Sequence, residues 1–219
     1  MQVTYKYSNI NILLFARLPV LGKVKTRLKS ALSSIEILAL YEAMLKRIVS
    51  LLNEGNLAEV QLWLDNNPSN ENKFVADLPW HFKMNEQVGR DLGDKMNFAI
   101  NKSLVSNNSK CALLLGSDCP ALTLEYVDNA LCLLNEGAQL VLGPAEDGGY
   151  VLIGVNKSYP ELFQGIQWGT DKVLEETILK AKSIGVDYVC LEPLWDVDRP
   201  DDIGRLSELE PTLEWAKYY

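Results

Sequence analysis

Apolar residues fall into two rhythms along the chain. Uninterrupted runs occur at Asn9–Ala16 (NINILLFA), Glu59–Leu64 (EVQLWL), Lys110–Leu115, Gln139–Gly143, Tyr150–Val155 and Val186–Leu191. Runs of this length suit strands buried on both faces. Trp80–Glu86 is a further short candidate, and Tyr150–Val155 reads as an antiparallel strand. Between the runs the spacing turns helical. Ile37, Leu38, Leu40, Tyr41, Met44, Leu45, Ile48, Leu51 and Leu52 keep that period behind Ser33 and Glu36, which read as a capping box, and Gly55 reads as the stop. Other helices are expected from the Gly89–Asp94 turn to about Val105, from Thr123 as N-cap to Asn135, and from Thr170 as N-cap to Ile184. Short helices from Pro200 and near Pro211 close the chain, and the polar Asp65–Pro79 stretch reads as a surface loop.

Alternating strands and helices predict an α/β fold with a mostly parallel sheet, Val186–Leu191 being its last central strand. No repeat, low-complexity tract or linker divides the 219 residues, so a single domain over 1–219 is expected. Ligands of such sheets lie beyond the carboxyl ends of the strands. The segments Arg17–Arg27, Asp118 and Glu146–Tyr150 all follow strands and are expected to share one crevice.

Charge narrows the function. Lys+Arg 21 against Asp+Glu 29 gives a net charge of -8, so no general field attracts nucleic acid or anionic lipid. A phosphate ligand would need a local basic site, and Arg17, Lys23, Lys25, Arg27 and Lys29 supply one. Cys111, Cys119, Cys132 and Cys190 form no C-x-x-C pair, which argues against structural zinc and suits a reducing compartment. Ile10–Ala16 is too short for a membrane span and lacks the flanks of a signal peptide. A cytoplasmic protein with no membrane span and no nucleic-acid partner is expected. The lone histidine, His81, sits between Trp80 and Phe82 and reads as structural. Neither G-x-S-x-G nor H-E-x-x-H is present, which removes the usual serine hydrolases and zincins.

Four loops carry candidate chemistry. In Gly22-Lys23-Val24-Lys25-Thr26-Arg27, backbone N–H groups and two cations could neutralise phosphate, although the stretch is neither a P-loop nor G-x-G-x-x-G. A solvated basic turn is the alternative. Asp118, between Gly116 and Pro120, could hold Mg²⁺, which takes one or two carboxylates and completes its octahedron with water and phosphate oxygens. A turn-forming Asp is the alternative. Asp196 and Asp198 share a side of an extended segment, while capping of a helix at Pro200 competes for Asp198, Asp201 and Asp202. In Glu146-Asp147-Gly148-Gly149-Tyr150 the glycines permit close approach to a ligand and also suit a hairpin turn. Trp168, beside Gly169 and Thr170, could stack on a sugar or base, or pack in the core.

Taken together the loops resemble a bacterial family of glycosyltransferase-A-fold proteins named for a domain of unknown function, DUF2064, some of whose members are labelled arsenosugar-biosynthesis glycosyltransferases. The resemblance rests on Phe15–Leu28 (FARLPVLGKVKTRL), Gln87–Met96 (QVGRDLGDKM), Gly116–Thr123 (GSDCPALT), Gly143–Tyr150 (GPAEDGGY) and Asp196–Asp202 (DVDRPDD), where Arg199 stands in place of the usual Thr. It implies a three-layer α/β/α, Rossmann-like fold and membership of the nucleotide-diphospho-sugar transferase superfamily. It also implies Mg²⁺ or Mn²⁺ held by Asp118 and Asp198, and phosphates facing Arg17, Gly22, Lys25 and Arg27. Gly89 and Asp91 would border the nucleotide, and Gly148, Gly149, Tyr150 and Trp168 the acceptor. Many glycosyltransferases of this fold carry D-x-D; here the strand-end motif is Ser117-Asp118-Cys119, closer to the nucleotidyltransferases.

The expected activity is metal-dependent transfer from a nucleotide-activated donor to a small-molecule acceptor. Glycosyl transfer from a nucleotide diphosphate sugar leads, with Lys25 and Arg27 stabilising the leaving group and Asp147 as candidate base. Nucleotidylyl transfer with release of pyrophosphate is the alternative, and a non-catalytic nucleotide-binding module is the alternative of another class. A homodimer is compatible with all three.

Overall fold

The apolar runs form the spine of a seven-stranded sheet in the computed structural model, which describes residues 4–66, 78, 83–106 and 109–215. The strands are β1 (Ile10–Ala16), β2 (Glu59–Leu64), β3 (Lys83–Glu86), β4 (Cys111–Gly116), β5 (Leu140–Pro144), β6 (Tyr150–Val155) and β7 (Tyr188–Cys190). Their order is β3-β2-β1-β4-β6-β5-β7. β6 runs antiparallel to β4 and β5, as its sequence predicts, and the other pairings are parallel. Among the described residues four helices, α1 (Ser34–Gly55), α2 (Leu92–Ser106), α3 (Leu124–Asn135) and α4 (Val173–Ser183), complete an α/β fold.

Alternation along β1 shows why the sheet carries helices on both faces. Ile12 and Leu14 join Leu40, Met44 and Leu45 of α1 in one core cluster. Leu13 and Phe15 point the other way, to Met96, Ala99 and Ile100 of α2. Burying each such side chain stabilises by about 1.5–3 kcal/mol, so a strand apolar on every position is favoured only in the middle layer.

Local signals set the helix ends. Ser33 and Glu36 form the predicted capping box, with Ser33 N–H donating to Glu36 Oε2 at 2.8 Å. Thr123 Oγ1 accepts from Tyr126 N–H at 3.1 Å and caps α3. α1 ends at Gly55, as expected, but it is Asn56 that takes the left-handed conformation, at φ 45°. A Cβ on Gly55 would lie 2.2 Å from Leu124 Cδ1, so the glycine is a packing residue between α1 and α3. Thr170 does not cap α4, whose first residue is Val173; its hydroxyl donates instead to Gln167 O at 2.7 Å. The Val186–Leu191 run gives only the short β7, at an edge and partly exposed, rather than a central strand. Pro200–Glu208 is a 3₁₀ turn, no helix forms near Pro211, and two further 3₁₀ turns, Thr26–Ser30 and Pro160–Phe163, carry no clear sequence signal. Of the predicted Trp80–Glu86 strand, Lys83–Glu86 is β3, while Trp80, His81 and Phe82 lie outside the described residues, as does most of the Asp65–Pro79 loop.

No helix among the described residues is long and apolar enough to cross a membrane. An ion pair ties the N-terminal segment down: Asp128 on α3 accepts from Lys6 Nζ at 2.8 Å and from Tyr7 OH at 2.9 Å. The Lys6 hydrogen bond holds the Asp128 carboxyl below its ordinary value of 3.8. A depressed folded-state pKa adds stability above the unfolded value, and that stability fades as pH falls through the folded one. Asp128→Asn is therefore expected to lower the urea midpoint at neutral pH, with the difference vanishing well below pH 3.8.

One topological feature places the site. From β1 the chain steps outward to β2 and β3, and β4 then returns to pair with the other side of β1. Connections therefore leave the carboxyl ends of β1 and β4 in opposite directions, and a crevice opens where they part.

Candidate functional site

Ala16 ends β1 and Gly116 ends β4, so the Arg17–Arg27 segment and the Ser117–Cys119 turn face each other across that crevice. Tyr41, from α1, closes its floor. Its buried hydroxyl accepts from Arg17 N–H at 2.8 Å, donates to Arg17 O at 3.0 Å and lies 3.2 Å from Ser117 Oγ. Burial pushes the Tyr41 phenol upward, so the group stays neutral. Tyr41→Phe would orphan a backbone N–H and is expected to destabilise by about 1–3 kcal/mol, read from urea unfolding.

The Asp196–Asp198 segment is drawn to the same place by a backbone hydrogen bond from Val197 N–H to Asp118 O, 3.0 Å. Cys119 adds an Sγ contact to Trp195 O at 3.2 Å, and burial pushes its thiol up to about 12, so it is structural and unreactive. Asp198 is free of capping duty. The Asp202 carboxylate reaches back to the N–H groups of Asp198 (2.8 Å) and Arg199 (2.6 Å) and does that work.

Side chains from three loops then meet. Lys25 Nζ lies 2.8 Å from Asp118 Oδ2 and 3.8 Å from Asp198 Oδ1, with its side chain only 7% exposed. The Arg27 guanidinium donates to Asp198 Oδ2, which raises its already high pKa. Lys25 itself takes the left-handed conformation, φ 42°, unusual for a residue with a Cβ. That backbone turn starts the Thr26–Ser30 3₁₀ segment and turns the amine inward between the two carboxylates. Arg17, Lys25, Arg27, Asp118 and Asp198 together line a polar pocket of about 240 Å³.

That pocket opens onto a larger cleft of about 560 Å³ over the ends of β1, β2, β3 and β4, and Arg17 and Asp118 line both. The cleft is lined by Asp91, by Tyr150, which is expected on the acceptor side and lies here instead, and also by Asp65, Gln87 and Lys95. Asp91 begins α2, its carboxylate accepting from Asp94 N–H at 2.8 Å. Gly89 is required beside it: at φ 156° a Cβ would sit 2.6 Å from Lys95 N.

A third pocket, about 220 Å³, lies on the far side of Asp196 and Asp198 and is lined by Asp147, Trp195 and Arg205. Arg205 pairs with Glu146 at 2.6 and 3.1 Å and stacks on Trp195, 4.7 Å from the ring centroid. Asp196 borders the second and third pockets. Burial lifts its carboxyl to about 6, helped by the negative charges of Asp147, Asp118 and Asp198 and opposed by Lys25.

Four further expected residues stand elsewhere. Gly22, at φ 75°, turns the chain between Val20 and Lys23 and lines neither phosphate-side pocket. Gly148 and Gly149 build the β5–β6 turn; Asp147 Oδ1 accepts from Gly149 N–H at 2.9 Å, and a Cβ on Gly148 would lie 2.1 Å from Asp171 O. Trp168 packs over Gly93 at the start of α2, against the second core cluster. Trp195 is the aromatic that reaches the third pocket; Tyr41, Asp65 and Arg205 are residues that no local motif marks, and Gln87, though it opens the Gln87–Met96 segment, carries no expected role. A still larger hollow, about 780 Å³, lies between the 3₁₀ turn at Pro200–Glu208 and Thr212–Trp215, away from this convergence of charge.

Among the described residues no cluster of three or more His, Cys, Asp or Glu side chains is arranged to hold a metal by itself. Two carboxylates facing one positive charge, with the polar pocket open beside them, nevertheless match the donor set Mg²⁺ takes when phosphate and water supply the rest.

Known proteins share this architecture. A crystal structure from Desulfovibrio desulfuricans G20, described as a "putative nucleotide-diphospho-sugar transferase", is 31% identical, with a TM-score of 0.83 over 92% of this chain and 88% of that one. CMP:2-keto-3-deoxy-manno-octonic acid synthetase complexed with CTP superposes with a TM-score of 0.58 at 9% identity, over 93% of this chain and 99% of that one. Glucosyl-3-phosphoglycerate synthase from Mycobacterium tuberculosis, in complex with Mn²⁺, UDP and glucosyl-3-phosphoglycerate, gives 0.55 at 13% identity, over 92% and 76%. The last two likenesses show the fold alone. No curated protein matches the chain. A family profile described as uncharacterized protein conserved in bacteria matches residues 48–170, more than half the chain and the whole stretch from β2 through the β5–β6 turn. With that match and the 31% identity over 92% of its length, the chain belongs to the bacterial DUF2064 family.

Proposed function

We propose that the protein transfers a glycosyl group from a nucleotide diphosphate sugar to a small hydroxyl acceptor. One observation carries this: the 560 Å³ cleft and the cationic pocket are continuous through Arg17 and Asp118, and the third pocket abuts them at Asp196. A nucleoside fits the first, its diphosphate the second and an acceptor the third. In the reaction the anomeric C–O bond to the diphosphate breaks and the acceptor oxygen bonds to that carbon. The acceptor proton passes to a carboxylate, with Asp147 in position on the acceptor side, and nucleoside diphosphate leaves.

Lys25 and Arg27 place two positive charges where the leaving group gains negative charge, the kind of preorganised field that most lowers a barrier. Asp118 and Asp198 would hold Mg²⁺ or Mn²⁺, which when bound neutralises diphosphate charge. The relatives' nucleotide, sugar and Mn²⁺ ligands support this reading by analogy.

Nucleotidylyl transfer is the second reading, favoured by the single Asp in Ser117-Asp118-Cys119. Product analysis separates the two. Incubation with nucleotide sugars and with nucleoside triphosphates, with Mg²⁺ or Mn²⁺, should release nucleoside diphosphate in the first case and pyrophosphate in the second. Neither product from any donor would refute both.

A further inference from the structure

The nucleoside end of the cleft is built to accept hydrogen bonds. Leu64 of β2 pairs with Glu86 of β3, and Gln87 N–H donates to Leu64 O at 2.8 Å. Asp65 and Gln87 therefore leave neighbouring strands side by side, and both line the cleft. Gln87 Nε2 donates to Ala16 O at 3.1 Å and to Trp63 O at 3.0 Å. Both amide hydrogens are thus engaged, the orientation of the amide is fixed, and Oε1 remains as an acceptor. Asp65 Oδ1 accepts from Leu18 N–H at 2.8 Å, which holds the carboxylate in place and leaves Oδ2 as a second acceptor. Lys95 lines the same cleft and supplies a cation.

Each base meets such a surface differently. Adenine and cytosine each offer one amino donor beside an acceptor on the pairing edge. Uracil offers one N–H between two carbonyls. Guanine alone offers two adjacent donors, N1–H and N2–H₂, with acceptors at O6 and N7. Two fixed acceptors beside a lysine, all three half-buried, complement guanine and leave unpaired groups against the others, which is how a polar site discriminates.

We propose that the donor is a guanine nucleotide, read by Asp65 and Gln87 through N1–H and N2–H₂ and by Lys95 at O6 or N7. The inference rests on the transferase reading and names its substrate class.

Calorimetric titration of the native protein with GDP, IDP, ADP, CDP and UDP in Mg²⁺ tests it. Hypoxanthine in IDP differs from guanine only by lacking the 2-amino group, so no variant is needed for the decisive comparison. GDP should bind about tenfold or more tighter than ADP, CDP or UDP, and IDP about tenfold weaker than GDP, the loss expected for one hydrogen bond to a charged acceptor. Asp65→Asn should shrink the GDP preference and erase the GDP–IDP difference. Equal affinity for GDP and IDP, or preference for another base, would overturn the guanine assignment and leave the transferase reading standing. A uniform loss for every diphosphate in Asp65→Asn would place Asp65 on the ribose and overturn the assignment too. Absence of binding by all five would overturn the transferase reading itself.

Discussion

Asp118→Asn is expected to lower turnover by about 10²–10³-fold while leaving the fold intact. The side chain is 44% exposed, and its backbone carbonyl, not its carboxylate, makes the Val197 hydrogen bond that joins the two acidic loops. The substitution keeps shape and polarity and removes only charge. It unpairs Lys25 and weakens the hold on a divalent cation, both of which act on the diphosphate during transfer. Steady-state turnover at saturating donor, compared with the thermal midpoint, separates the effects. An unchanged rate would remove Asp118 from the chemistry, whereas a large fall in midpoint would make it structural.

Lys25→Met should cost a comparable factor and behave differently under a double-mutant comparison. The amine is nearly buried between two carboxylates, and Met fills a similar volume without charge. Turnover should fall by about 10²–10³-fold. Because Lys25 and Asp118 act on the same developing charge, the double variant should lose far less than the product of the single losses. Multiplicative losses would mean that the residues work independently and that their ion pair is incidental. Added salt should raise the stability of Lys25→Met, since screening relieves the Asp118–Asp198 repulsion that the lysine otherwise offsets.

Much of this site could be read from residue order because the fold puts strand ends together. A run buried on both faces must be a central strand, and the residues after it must emerge at the sheet's edge. That reasoning brings Arg17, Lys25, Arg27 and Asp118 to one crevice from sequence pattern, while only the family resemblance adds Asp198. Tyr41 is illegible as a site residue because it sits at a core position of an amphipathic helix, and only the close approach of α1 reveals the use of its hydroxyl. Asp65, and Gln87 at the head of the Gln87–Met96 segment, carry no expected role because their placement beside the cleft depends on strand register, which sequence pattern alone does not fix. Thr170 misleads for a different reason: it is a good local N-cap signal, but its hydroxyl closes a turn onto Gln167 O three residues back, and α4 starts only at Val173. Trp168 and Trp195 exchange places for want of any local mark distinguishing a packed indole from one that reaches a pocket.

The left-handed backbone at Lys25 has a consequence for how this protein can change. A side chain with a Cβ held there carries about 1 kcal/mol of strain that glycine would not. Gly at position 25 should therefore relieve that strain while uncovering the Asp118–Asp198 repulsion, so a stable variant there needs one of the two carboxylates neutralised as well, and such survivors should be inert.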